Sequence, residues 1–122
     1  MKNAISMKNI EFKKMYKTNK SIANNLLILY TLKCDLNDKN KLGICASKTV
    51  GNSVIRHRAT RLIREAYRTL EDDIKLNNSI VIVARKSILY CKEQEVQAAL
   101  YNLLKRSNLL ISNDCQINES NK

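Results

Sequence analysis

The chain has 122 residues, 44% of them hydrophobic, with no proline and two glycines; this predicts one compact domain over residues 1–122, with its core at about 8–106 and frayed ends, and excludes a chain that is all linker or disordered throughout. Twenty-two Lys and Arg against eleven Asp and Glu leave a formal net charge of +11, so the natural partner is a polyanion, nucleic acid ahead of a membrane surface. No apolar run approaches the roughly 20 residues of a membrane span, and the N-terminal stretch MKNAISMKNIEFKK lacks the apolar segment of a secretion signal, so a cytoplasmic protein is expected.

In chain order, Ile10, Phe12 and Tyr16 fall at loosely helical spacing among lysines and predict a short cationic first helix. Residues 21–33, rich in β-branched and large apolar side chains, predict a strand that breaks near Asn24 and Asn25. The polar run DLNDKNK reads as a turn, and Leu42 to Lys48 follows at hairpin distance, which predicts an antiparallel pair with the strand before it. Gly51-Asn52 marks a strand-to-helix turn, with Asn52 or Ser53 as helix cap. In the helix that follows, Ile55, Ala59, Leu62, Ile63, Ala66 and Leu70 share one side. Ile80 to Val83 is an unbroken apolar run that reads as a buried central strand. Val96, Ala99, Leu100, Leu103 and Leu104 then repeat at i, i+3, i+4, i+7, i+8, the stripe of a covering helix, after which the tail from Ser107 is expected to fray. Tyr67, Tyr90 and Tyr101 read as packing residues. The fold class is therefore α/β, more closely an α+β two-layer sandwich, with elements in the order α, β, β, α, β, α.

The basic residues are not evenly spread. Five of the seven arginines, Arg56, Arg58, Arg61, Arg64 and Arg68, lie within 13 residues of the second helix, opposite its apolar stripe, with Glu65 the one acid among them. A solubilising face would interleave several acids. Guanidinium groups grip phosphate bidentately and stack on bases, so arginine clustering points to RNA or DNA. A helix-turn-helix needs a second helix just before the basic one, where residues 42–48 read as strand. A membrane-surface helix needs a wider apolar face than Ala59 and Ala66 leave.

The run LGICASKTVGNSVIRHRATRLIREAYR resembles the signature of the bacterial ribonuclease P protein subunit, with Gly43, Ser47, Lys48, Val50, Gly51, Asn52, Val54, Arg56, Arg58, Arg61, Leu62, Arg64 and Glu65 at matching positions. The similarity extends to FKKMY and SIANNLLILYTL before it and IVIVARK after it. What the resemblance implies is a left-handed β-α-β crossover, as in the second domain of a small-subunit ribosomal protein, where general chirality predicts a right-handed one. It further implies a subunit that binds a large catalytic RNA, in an enzyme that removes the 5′ leader of precursor tRNA by magnesium-dependent hydrolysis. The magnesium is then held mainly by the RNA, and no obligate protein partner is expected. Lys48, Asn52, Arg56, His57, Arg58, Arg61, Arg64 and Arg68 become the RNA-binding set, and Phe12, Tyr16, Tyr30 and Arg85 a cleft for the single-stranded leader. On spacing alone Phe12 and Tyr16 read first as core anchors; an aromatic platform in a basic groove is also how single strands are held.

This chain departs from the family pattern at four places: His57 stands for an asparagine, Thr60 for a basic residue, Thr49 for a second lysine and Ser53 for an alanine. His57 most simply preserves a side-chain hydrogen-bond donor. Cys34, Cys45, Cys91 and Cys115 form no CxxC pair, so they read as reduced thiols and no metal site is expected on the protein. Asp72 with Asp73 and Glu93 with Glu95 are the nearest thing to paired carboxylates, and neither pair is spaced as a general acid and base. No catalytic residue is therefore expected on the polypeptide, and catalysis is assigned to the RNA.

Overall fold

The computed structural model of the protein describes residues 4–6, 21–33 and 39–111. Its elements are β1 (Ala4–Ser6), β2 (Ser21–Ala23), β3 (Leu27–Lys33), β4 (Asn40–Cys45), α1 (Ser53–Leu70), β5 (Asn78–Ala84) and α2 (Glu93–Arg106), with short 3₁₀ turns at Glu71–Asp73 and Lys86–Tyr90. The strands form one sheet in the order β1-β4-β5-β3-β2. β4 lies parallel to β1 and to β5, while β3 runs antiparallel to β5 and to β2. The predicted first helix at Ile10, Phe12 and Tyr16 lies outside the described residues.

The single strand predicted over residues 21–33 is a hairpin. Asn24 makes the turn: its side-chain oxygen accepts from the backbone N–H groups of Leu26 (3.1 Å) and Leu27 (3.0 Å), so the chain reverses at the predicted break. The expected antiparallel pairing of this segment with the next strand does not form. β5 lies between β3 and β4, with Tyr30 and Gly43 both opposite Val81. Position follows burial. All but one residue of β5 is buried, and the most apolar strand takes the place with a neighbour on both edges, although it comes last in sequence. β4 starts two residues earlier than the apolar run suggests and ends at Cys45, because Val50 N–H bonds to the Ser47 carbonyl (3.0 Å) and turns the chain toward α1. β1 was not anticipated, as three residues carry no readable alternation.

Both helices pack on one face of the sheet. The Asn52 side chain caps α1 by accepting from Ile55 N–H at 3.0 Å, and the Glu95 side chain closes the start of α2 by accepting from Lys92 N–H at 3.2 Å. Ala59, Ile63, Ala66, Tyr67 and Leu70 of α1 meet Val96, Leu100, Leu103 and Leu104 of α2 over Leu27, Leu29, Leu42, Ile80, Ile82 and Ala84 of the sheet. The stripes predicted for both helices are those that bury, although Ile55, Leu62 and Ala99 reach only half-burial at their edges. Residues 107–111 are not frayed. Asn108 turns back with φ 62°, Leu109 is buried, and Lys75 N–H and Ile111 N–H bond to the Leu109 and Asp73 carbonyls at 2.7 Å. Burial of one leucine and a short bridge between Ile74 and Leu110 hold what composition alone leaves loose.

Candidate nucleic-acid interface

An 18-residue helix seated on a sheet by an apolar stripe turns its other side outward. On α1 that side carries His57, Arg61, Arg64 and Arg68, all exposed and spaced i, i+4, i+7, i+11, a straight ridge about 16 Å long. The other two arginines flank it. Arg58, exposed, donates from Nη2 to the Cys91 carbonyl at 3.5 Å, on the side facing the start of α2. Arg56 is half-buried on the other side, and its Nε is buried without a hydrogen-bond partner among the described residues. Glu65 bonds Arg68 at 2.8 Å; this bond and the charge of Arg68 hold the Glu65 carboxyl below the usual carboxylate range, and Arg61 adds to the effect. Arg58, Arg61, Leu62, Glu65 and Glu93 line a shallow cleft between α1 and α2.

The remaining residues of the expected RNA-binding set divide by role. Lys48 is exposed in the turn after β4. Asn52 has its side-chain oxygen occupied as the cap of α1, so its first duty is to start the helix. Thr60 bonds back along the helix from its hydroxyl to the Arg56 carbonyl at 3.0 Å.

The leader-cleft set lies elsewhere. Strand alternation puts Leu27 and Leu29 under the helices and Tyr30 on the far face of the sheet, level with Val81 and Gly43. Tyr30 is half-buried there. Arg85 follows β5 and donates from Nη1 to the Asn24 carbonyl (3.0 Å), while Arg106 at the end of α2 donates to the Ala23 carbonyl (3.0 Å). The two arginines outside α1 thus hang from consecutive carbonyls at the turn of the β2–β3 hairpin. Phe12 and Tyr16, the other two residues of this set, lie outside the described residues.

Two tyrosines contradict the packing expectation. Tyr67 is fully buried, but Tyr90 is 86% exposed and Tyr101 46% exposed. In the turn after β5, Ile88 takes the inward position and leaves Tyr90 outside. Tyr101 falls off the stripe of Val96, Leu100, Leu103 and Leu104, which a wheel of α2 already separates. Among the described residues no three His, Cys, Asp or Glu side chains are grouped as a metal site. Burial and neighbouring Glu95 push the Cys91 thiol up.

Comparison with known proteins points one way. The family model for ribonuclease P matches residues 2–108. The ribonuclease P protein components of Clostridium novyi and Alkaliphilus oremlandii are 44% and 43% identical over 109 and 105 residues, covering 88% and 86% of this chain and 96% and 91% of theirs. The solved RNase P protein of Staphylococcus aureus superimposes with a TM-score of 0.77 at 31% identity, covering 88% of this chain and 97% of that one.

Proposed function

Because the chain belongs to the ribonuclease P protein family and so takes part in tRNA processing, we propose that it binds the enzyme's catalytic RNA through the outer ridge of α1 and the precursor tRNA leader through the far face of the sheet. The observation that carries the first half is the line of His57, Arg61, Arg64 and Arg68 on a helix whose opposite side is locked into the core. A rigid row of guanidiniums pays little ordering entropy when phosphates dock, and the counterions it releases drive binding. Arg56 and Arg58 widen the row on either flank, and Lys48 and Asn52 extend it beyond the helix start.

The leader reading rests on Tyr30 on the far face of the sheet and on Arg85 and Arg106 at the turn of the same β2–β3 hairpin, where a ring offers a stacking surface and the guanidiniums retain N–H groups for phosphate. Phe12 and Tyr16 complete this cleft in our reading. The protein then contributes positioning and charge neutralisation, with hydrolysis and its magnesium assigned to the RNA. A cytoplasmic setting follows from these partners; no described helix is long and apolar enough to cross a membrane.

The test is reconstitution. Purified protein mixed with a bacterial ribonuclease P RNA at low magnesium should cleave precursor tRNA where RNA alone and protein alone do not. Arg61→Ala and Arg64→Ala should each flatten the dependence of log affinity on log salt by about one unit. RNA binding without stimulated cleavage would leave a general RNA-binding protein instead.

A further inference from the structure

Tyr90 is the most exposed large hydrophobic side chain among the described residues, at 86%, and it does not stand alone on the surface. Its chain neighbour Cys91 presents the carbonyl that receives Arg58, so Tyr90 stands one residue from the flank of the arginine ridge. Its backbone is anchored: Ile88 N–H and Cys91 N–H bond to the Arg85 and Ile88 carbonyls at 3.0 and 3.1 Å, and Ile88 and Cys91 are buried on either side of it. Lys86 and Lys92 are exposed nearby in sequence, while Glu93 lines the cleft beside Arg58. An acid at that point disfavours phosphate and leaves a neutral ligand unaffected. A ring held outward from a fixed turn, one residue from the carbonyl that a ridge arginine grips, is suited to the flat face of a base.

We infer that Tyr90 is a stacking platform for an unpaired nucleobase of the RNA held on the α1 ridge. This rests on the RNA-binding reading of that ridge and adds to it a residue that the arginine motif does not contain. Tyr90 lies on the helix side of the molecule, joined through Arg58 to α1, and not with Tyr30 on the far face of the sheet, so the base belongs to the catalytic RNA and not to the leader.

Binding of the full protein to ribonuclease P RNA, followed across salt concentration, tests this. Tyr90→Ala should weaken binding by about 5- to 150-fold, with the salt slope unchanged and thermal stability near that of the wild type. Tyr90→Phe should bind within about two-fold of wild type, since stacking needs the ring and not the hydroxyl. In the reconstituted enzyme, the ratio of cleavage rates for long-leader and short-leader precursor tRNA should be the same for Tyr90→Ala and wild type. Wild-type affinity in Tyr90→Ala, an equal loss in Tyr90→Phe, or an altered leader ratio would each overturn the assignment while leaving the ridge intact. If Arg61→Ala and Arg64→Ala also bind as wild type does, the ridge reading falls, and the base platform with it.

Discussion

Tyr67 is the largest fully buried side chain of the core, and among the described residues its hydroxyl has no hydrogen bond of good geometry; nor has the amide nitrogen of the buried Asn40. Burial pushes the phenol up to about 12, against a smaller opposing effect of Asn40 beside it. A group whose folded pKa is raised in this way lends stability in full below its unfolded value, near 10, and loses it as the pH climbs through about 12. Wild type should therefore lose about 2 kcal/mol more than Tyr67→Phe between about pH 9 and pH 11.5 in urea titrations. At neutral pH, Tyr67→Phe should cost under about 1 kcal/mol, because the hydroxyl it removes has no good partner. On the surface, Glu65 sets the opposite kind of problem. It is the acid that engages a ridge arginine, and Glu65→Gln should release Arg68 and tighten RNA binding by roughly two- to five-fold at low salt, read by filter binding. The arginine ridge was legible in the sequence because α-helical period alone sorts its faces. The exposure of Tyr90 was not, since ring chemistry does not say which side of a short turn a side chain takes.

The junction between β4 and α1 depends on two adjacent residues that do different jobs. A Cβ at Gly51 would lie 2.8 Å from Ile55 Cγ2, at a backbone φ of +157°, so Gly51→Ala must displace the first turn of α1 and should cost about 1 to 3 kcal/mol. Asn52→Ala removes only the cap bond and should cost about 1 kcal/mol. Thermal unfolding distinguishes the two, and both should loosen the start of the helix that presents Arg56, His57 and Arg58. Elements with strong periodicity were foreseen at this scale: α1, α2 and the buried run of β5. Pairing was not. Residues 27–33 and 40–45 are close enough in sequence to suggest a hairpin, but which strands lie side by side is decided by burial across the whole sheet, and a local pattern does not record it. The Asn24 turn shows the converse, a break legible as polarity whose consequence, a reversal and not a kink, depends on two side-chain hydrogen bonds.

At the scale of the molecule, all seven arginines serve two places: five on α1, and Arg85 with Arg106 at the β2–β3 turn. Charge that would repel if gathered in one patch is divided between the helix layer and an end of the sheet, which fits two RNA segments approaching from different directions. The order β1-β4-β5-β3-β2 also bears on how the protein is made. β3 and β4 leave the ribosome first and have no edge to share until residues 78–84 arrive between them, and α1 is synthesised before the strand that completes its seat. A nascent chain ending at residue 77 should therefore stay largely unfolded by circular dichroism, while one ending at residue 111 should fold. During that interval residues 53–70 are already made and carry five arginines without a folded seat, so the cationic segment meets the polyanions around the ribosome before the domain that will hold it has closed.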